Sequence, residues 1–126
     1  TVEGPGGSID VLAFEQEHGS ITSLGFRVAN FAYSVDLSGF PKHSIEAISG
    51  LDLWVLDALR PTPHPSHLSL PESLDWIERM APKQVVLSDL HIDLDYRQLD
   101  KDTLGNVTPA FDGMRIDVLA GKILNQ

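Results

Sequence analysis

The order of elements between residues 51 and 87 constrains the fold of this chain more than any other feature of its sequence. An apolar run at residues 53–56 is followed by a proline-rich loop, a helical pattern and a second apolar run at 84–87. Two strands connected through a helix lie parallel in one sheet, joined by a right-handed crossover. The segment therefore predicts an α/β fold built on a sheet with parallel strands.

Four other runs are short and rich in β-branched and aromatic residues, which is typical of strands. They lie at residues 9–14, 23–28, 31–34 and 114–118. Ala29 and Asn30 separate the second of these runs from the third, and they predict a tight hairpin.

Three helices are predicted, and the second has the clearest signal. Ser69 can accept from free backbone N–H groups, a proline follows in the first turn, and Glu72 faces the positive end of the helix dipole. Apolar residues then recur at helical spacing until the helix ends before Pro82. The first helix is predicted around residues 44–48, and a weaker third helix at 96–104.

The bulk composition limits the class of protein. With 126 residues, of which 42% are hydrophobic, the chain forms one domain or part of one. It has no cysteine, so any metal ion must be held by histidine and carboxylate. A net charge of −9 without clustered lysine or arginine argues against a nucleic-acid partner. No long uncharged apolar segment or signal pattern is present, and we expect a cytoplasmic protein without a membrane partner.

Polar residues follow several predicted strands, where side chains from distant parts of the chain converge. Imidazole and carboxylate groups of this kind bind Zn²⁺ and Mn²⁺. A structural interpretation competes with this one, since Asp36 can cap the following helix and a histidine after a strand is often a solvated loop residue. The candidates are His18, Asp36, His64, His67, Asp89 and His91.

Seven stretches of sequence occur in a distinctive order. They are HG at 18–19, SLGFR at 23–27, YSVDLSGFP at 33–41, LWVLDALR at 53–60, HPSHLS at 64–69, DLHIDLDY at 89–96 and AFDGM at 110–114. In this order they resemble the second half of the metallo-β-lactamase-fold hydrolases related to the phosphoribosyl cyclic phosphate phosphodiesterases. The resemblance implies an α/β fold that is half of an αββα sandwich, a mixed sheet with flanking helices. Residues 1–126 would form this C-terminal half, with no second domain.

The resemblance also implies roles for individual residues. His18 corresponds to a single metal-binding histidine, and Asp36 corresponds to a carboxylate that bridges two metal ions. His67 corresponds to a histidine near the scissile phosphate, a candidate general acid or phosphate donor. The family's last ligand is a histidine, whose place is taken here by Asp89, with His91 as the alternative ligand.

The activity implied is that of a metal-dependent hydrolase of phosphodiester bonds. Two divalent cations, Zn²⁺ or Mn²⁺, would activate a water that attacks a small phosphorylated substrate. The family's His-x-His-x-Asp-His signature occurs nowhere in this sequence. The resemblance therefore implies that the chain is inactive without a missing N-terminal half, and that it pairs with that half or with itself.

Two alternatives remain open at this stage. The first is a non-catalytic binding or assembly module that retains the fold, which the aspartate at position 89 and the missing signature favour. The second is an α/β domain without a metal ion. Other acids are assigned mainly to structure, although Asp57, Asp93 and Asp95 are candidates to orient the histidines, and Trp54 is assigned to the core.

Overall fold

A computed structural model of the protein describes residues 1–103 and 105–125. Strands alternate with short helices along this part of the chain. In chain order the elements are β1 (Val2–Gly4), β2 (Gly7–Ile9), β3 (Leu12–His18), β4 (Ile21–Val28), β5 (Phe31–Ser34), a 3₁₀ helix (Lys42–Ile48), β6 (Leu53–Asp57), α1 (Leu70–Met80), β7 (Gln84–Ser88), α2 (Tyr96–Asp102), β8 (Val107–Pro109), β9 (Ile116–Asp117) and β10 (Lys122–Ile123).

A mixed sheet forms the centre of the fold, with the strand order β3-β4-β5-β6-β7-β8. The first three strands are antiparallel, and β5 to β8 are parallel. The predicted crossover is confirmed, because α1 lies between the parallel neighbours β6 and β7. The predicted hairpin is also confirmed, because Val28 pairs with Phe31 around a two-residue turn.

The helix α1 begins where its sequence predicts. The Ser69 hydroxyl accepts from the Glu72 backbone N–H, while the Glu72 carboxylate accepts from the Ser69 backbone N–H. This capping box satisfies two donors that the first turn leaves free. One turn further on, Ser73 donates to the backbone oxygen of Asp57 at 2.6 Å, which fixes α1 against the end of β6.

One face of the sheet and the helices enclose the main core. Trp54 and Leu56 of β6 alternate with residues of the opposite face, and both are fully buried. The Trp54 indole N–H donates to the Ser34 hydroxyl at 3.0 Å, and its ring lies 5.8 Å from that of Phe40. The buried indole therefore finds a polar partner at the end of β5.

The opposite face is covered only in part. Val55 packs against residues of the C-terminal segment, including Met114 and Ile116. Phe26 and Tyr33 pair across β4 and β5, and Tyr33 pairs with Val55, so the three side chains share this face. Phe26 and Tyr33 are nevertheless 42% and 43% exposed. The β4–β5 end of this face is therefore an open apolar surface.

Two strand predictions were wrong in their limits. The strand predicted at 9–14 runs from Leu12 to His18, and Ile9 belongs to the separate hairpin of β1 and β2. The polar residues after Phe14 conceal the period-two pattern that continues the strand. The predicted strand 114–118 is reduced to Ile116–Asp117, which pairs with β10 outside the central sheet.

The sixth strand of the sheet, β8, was not predicted. It is short and contains Pro109, and a proline is tolerated here because β8 lies at the edge of the sheet. The first helix is a 3₁₀ helix, and the third ends at Asp102, while the predicted limit Leu104 lies outside the described residues. Within the described ranges, neither α-helix combines the length and apolarity needed to cross a membrane.

Candidate metal centre

Polar side chains converge at one edge of the central sheet. His18 is the last residue of β3, Asp57 is the last residue of β6, and Asp89 directly follows β7. Asp36 lies just after β5, and His67 comes from the loop between β6 and α1. Because β5, β6 and β7 are parallel, their carboxyl ends bring these groups to the same edge.

Backbone hydrogen bonds join the end of β3 to the loop after β5. The Glu17 N–H donates to the Gly39 oxygen at 3.0 Å, and the Ser38 N–H donates to the Glu17 oxygen at 2.7 Å. A Cβ atom at Gly39 would lie 2.8 Å from a Glu17 carboxylate oxygen, so the Glu17 side chain lies directly beside this glycine. These contacts bring His18 next to the segment that carries Asp36.

The turn that presents Asp36 is held by two polar side chains of β3 and β4, Gln16 and Ser23. Gln16 donates to the Val35 backbone oxygen at 3.2 Å, and Ser23 donates to the Asp36 backbone oxygen at 2.6 Å. Asp36 has a φ of 58°, a left-handed conformation that aspartate tolerates better than most residues. The 3₁₀ helix has Pro41 as its N-cap and no side-chain cap, so Asp36 does not cap it as the structural interpretation supposed.

His18 has its ring orientation fixed by the proline-rich loop. Its Nδ1 lies 2.6 Å from the backbone oxygen of Ser66. A carbonyl oxygen only accepts hydrogen bonds, so Nδ1 carries the proton. In the neutral ring, Nε2 therefore keeps its lone pair, which is the state that a metal ligand requires.

His67 is held by two carboxylates through the same ring nitrogen. Its Nδ1 lies 2.9 Å from Oδ2 of Asp57 and 3.3 Å from Oδ2 of Asp89. Asp57 is fully buried and also accepts from the Leu37 backbone N–H at 3.2 Å. The Nδ1 proton is therefore committed to the carboxylates, and Nε2 is the nitrogen left for another partner.

Two overlapping groups of side chains at this edge could hold a metal ion. His18, Asp36 and His67 each offer a ligand atom, and these atoms lie within 4.8 Å of one another. Asp57, His67 and Asp89 meet the same condition. Four of the six candidate residues, namely His18, Asp36, His67 and Asp89, thus come together at the sheet edge.

His91 belongs to neither group. Its Nδ1 accepts from the Asp93 backbone N–H at 3.3 Å, and its side chain is 49% exposed. This hydrogen bond keeps the imidazole within its own loop. Asp95, which was a candidate to orient a histidine, instead caps α2 by accepting from the Gln98 N–H at 2.9 Å.

Negative charge is concentrated at this edge of the sheet. Burial raises the pKa of Asp57 to about 6, and its Oδ1 is buried without a hydrogen-bond partner in the described part of the chain. Partial burial raises the pKa of Asp89, and that of Tyr33 is raised first by partial burial and then by Asp36. Two imidazoles beside three carboxylates fit a divalent cation, which would offset this charge.

His64 lies beside His67 and has the opposite proton arrangement. Its Nδ1 accepts from the Ser66 backbone N–H at 3.2 Å, which places its proton on Nε2. Partial burial, followed by repulsion from Arg60, lowers the pKa of His64. The ring, 5.2 Å from that of His67, is therefore a neutral N–H donor at the rim of the site.

Two residues that hold the site were missed from the sequence. Gln16 is 1% exposed and also donates to the Ser23 hydroxyl at 3.1 Å, so the pair forms one network under the Asp36 turn. The sequence contains one indication of this role, which is the position of Gln16 in the strand. Gln16 lies on the same inward face of β3 as Phe14 and His18. A buried polar side chain at such a position is expected to have a hydrogen-bond partner there.

The buried charge of Asp57 leads to a prediction about stability. Folding raises the pKa of this acid from 3.8 to about 6, so the protonated acid stabilises the fold at pH values below 3.8. This contribution is lost as the pH rises through about 6. Asp57→Asn stays uncharged, so we expect it to raise the free energy of unfolding by up to about 3 kcal/mol at about pH 8. Below about pH 4 the gain should vanish.

Urea unfolding at both pH values measures this difference. Asp75→Asn, at an exposed position on α1, is the matched control and should change stability by less than about 0.5 kcal/mol. A variant at position 57 that is less stable than the wild type at the higher pH would contradict the prediction.

Comparison with known proteins supports a common fold. The model of the beta-lactamase superfamily domain matches residues 1–92. A diphosphatase from the PhnP family is similar in structure, with a TM-score of 0.80 and 31% sequence identity over 82% of this chain and 41% of that one. A search of curated proteins found no match.

Two more distant structures share the fold. The short form of human tRNase Z has a TM-score of 0.65 and 22% identity over 86% of this chain and 41% of its own. The metallo-beta-lactamase fold protein YhfI from Bacillus subtilis has a TM-score of 0.60 and 14% identity over 79% of this chain and 46% of its own. This chain thus spans less than half the length of each of the three structures.

Proposed function

Because this chain belongs to the beta-lactamase superfamily, whose domain model matches residues 1–92, we propose that it is the C-terminal half of a metal-dependent phosphodiester hydrolase. The observation that carries the proposal is the convergence of His18, Asp36 and His67 within 4.8 Å at the sheet edge. The similar structure with 31% identity is described as a diphosphatase, which supports a substrate with phosphorus–oxygen bonds.

The residues present fit a site for divalent cations. His18 and Asp36 would hold one ion, and Asp89 would help to hold a second. We propose Zn²⁺ or Mn²⁺, since the donors are imidazole nitrogen and carboxylate oxygen. Bound cations of this kind supply an activated water and positive charge beside a phosphate.

We assign His67 to proton delivery during hydrolysis. When water adds to phosphorus and the ester bond breaks, the leaving oxygen needs a proton. Asp57 and Asp89 hold His67 through Nδ1, which directs Nε2 away from them, so a protonated ring can donate from that atom. The Nε2–H of His64 would donate to a phosphate oxygen of the small phosphorylated substrate.

The open apolar surface supports a partner for this half of the domain. Leu24, Phe26 and Tyr33 are 53%, 42% and 43% exposed on a sheet face that is covered only in part. The other half of an αββα sandwich would cover this face, and self-association is the alternative. The same half would supply the His-x-His-x-Asp-His ligands that this sequence lacks.

The test is turnover of bis(p-nitrophenyl) phosphate by a protein that contains both halves. We expect a chelator to reduce turnover to the background rate and Mn²⁺ or Zn²⁺ to restore it, because the reaction depends on cation charge. A carboxylic ester, p-nitrophenyl acetate, serves as the control substrate and should not be hydrolysed above its own background rate. Turnover that survives complete metal removal would refute the metal role.

A non-catalytic module is the second candidate. The observation that favours it is the 3.3 Å contact between Asp89 Oδ2 and His67 Nδ1, which pairs the residue at the family's last ligand position with an imidazole. Such a module would bind cations and its partner half without turnover of phosphodiesters or thioesters. Measurable turnover by the two-half protein would exclude this candidate.

A further inference from the structure

We propose that a small cavity beside the candidate metal centre binds an organic cation, an ammonium group that the substrate carries next to its phosphate. The cavity is lined by residues 88–90 and 110–112 and has a volume of about 300 Å³. The inference rests on the proposed hydrolase function, because it names the class of phosphodiester that the site would accept. Phe111 and Asp112 carry it, and neither is a candidate metal ligand.

The pairing of β7 with β8 places this cavity at the same sheet edge as the metal centre. The two strands are parallel and paired as far as Leu87 and Pro109, so the residues that follow them leave the sheet side by side. The Ala110 N–H donates to the Leu87 oxygen at 2.8 Å, which ties the two chains together beyond β8. Asp89 lines the cavity and also lies 3.3 Å from His67. A phosphodiester at the metal centre can therefore extend one of its organic groups into the cavity.

One wall of the cavity belongs to a turn whose backbone is fixed by hydrogen bonds. The Met114 N–H donates to the Phe111 oxygen at 3.0 Å, and the Asn125 side chain donates to the Gly113 oxygen at 3.0 Å. Gly113 has a φ of 89°, a backbone conformation that favours glycine. Phe111 and Asp112 are thus held in a closed turn, so little backbone freedom is lost when a ligand binds there.

The side chains of this wall suit a cation. Asp112 is an exposed carboxylate, Phe111 is a partly buried aromatic ring, and none of the six lining residues is basic. An aromatic ring attracts a cation to its face, and a carboxylate beside the ring adds charge attraction. A hydroxyl group would gain only the contact with the carboxylate, and an anionic group such as a second phosphate would be repelled.

Two p-nitrophenyl phosphodiesters of the same shape test the inference in the protein that contains both halves. One is the ester of choline, and the other is the ester of 3,3-dimethylbutanol, in which a carbon atom replaces the charged nitrogen. We expect kcat/KM to be about tenfold higher for the choline ester, because it gains both the ring and the carboxylate contact. A ratio of the two kcat/KM values near one would overturn the inference.

Variants distinguish the cavity from the general attraction of an acidic protein. The net charge of −9 by itself favours the choline ester, which is less anionic than its isostere, and about 0.3 M salt screens this attraction. Phe111→Leu and Asp112→Asn should each lower the ratio about threefold or more, whereas Phe111→Tyr keeps the ring and should retain it. Asp100→Asn, at an exposed position of α2, is the matched control and should leave the ratio unchanged. Equal falls for the variants at positions 112 and 100 would assign the preference to net charge and overturn the inference.

Binding of choline to the 126-residue chain tests the cavity without turnover. We expect choline to shift the ¹H–¹⁵N amide signals of residues 111–113 with a Kd of about 1–10 mM, and 3,3-dimethylbutanol to leave them unshifted. If bis(p-nitrophenyl) phosphate is not turned over by the two-half protein, the proposed function fails, but this titration still decides the inference. Equal shifts with the two ligands, or no shift with choline, would overturn it.

Discussion

Replacing Asp36 with asparagine is expected to lower kcat/KM for a phosphodiester by at least about 1,000-fold in the protein that contains both halves. Asp36 is the carboxylate that meets both His18 and His67 at the sheet edge. The amide is neutral, so the affinity for the cation and the charge balance at the phosphate are lost together. Steady-state turnover of bis(p-nitrophenyl) phosphate, with metal content measured on the same samples, tests this result.

Asparagine is chosen because it removes the charge of the side chain without disturbing the backbone conformation at this position. The φ of 58° at Asp36 suits asparagine at least as well as aspartate, whereas alanine would add strain. Asp100→Asn, on the exposed side of α2, is the matched control and should retain full activity. If the variant at position 36 keeps its activity within about tenfold, the proposed metal role of this carboxylate is wrong.

The second large effect concerns the core beneath the site. Trp54→Ala is expected to lower the free energy of unfolding by about 3–5 kcal/mol, because it removes a fully buried ring and leaves a cavity. It also removes the N–H that the Ser34 hydroxyl accepts at the end of β5, two residues before Asp36. Urea unfolding followed by circular dichroism measures the loss.

Two other variants show how much of the Trp54→Ala loss comes from packing and how much from the hydrogen bond. Trp54→Phe keeps most of the packing and loses the hydrogen bond to Ser34, so a loss of about 1 kcal/mol is expected. Trp76→Ala is the matched control, because that ring is only partly buried and lies under Arg79, and it should cost less than the core variant. Equal losses at the two tryptophans would contradict the assignment of Trp54 to the centre of the core.

The sequence predicted correctly those features that depend on interactions between residues close together in the chain. The start of α1 was predicted because Ser69 and Glu72 act within one helical turn. The β6–α1–β7 crossover was predicted because each strand contains a continuous apolar run and the helix between them does not. The limits of β3 were missed because Gln16 and His18 are polar residues on its inward face.

Part of the candidate site was also predicted, because it depends on residue types at recognisable positions in the chain. His18, Asp36 and His67 stand out because their residue types occur at strand ends and in a proline-rich loop. Asp57 was one of three acids expected to orient a histidine, and it does contact the ring nitrogen of His67 at 2.9 Å. The sequence pattern does not show which of these acids is buried. Burial distinguishes Asp57 from the other two, because a buried carboxylate must be paired or hydrogen-bonded.

The sequence by itself determined the α/β alternation, the helix α1 and the donor types available for a metal ion, because these depend on local periodicity and residue chemistry. Only the tertiary structure decided that Asp89 contacts His67 while His91 stays within its own loop. The reason is geometric: Asp89 has a left-handed φ of 60°, and the direction of the chain after β7 depends on the neighbouring strands and loops. Contacts between residues far apart in sequence exist only once those elements have packed.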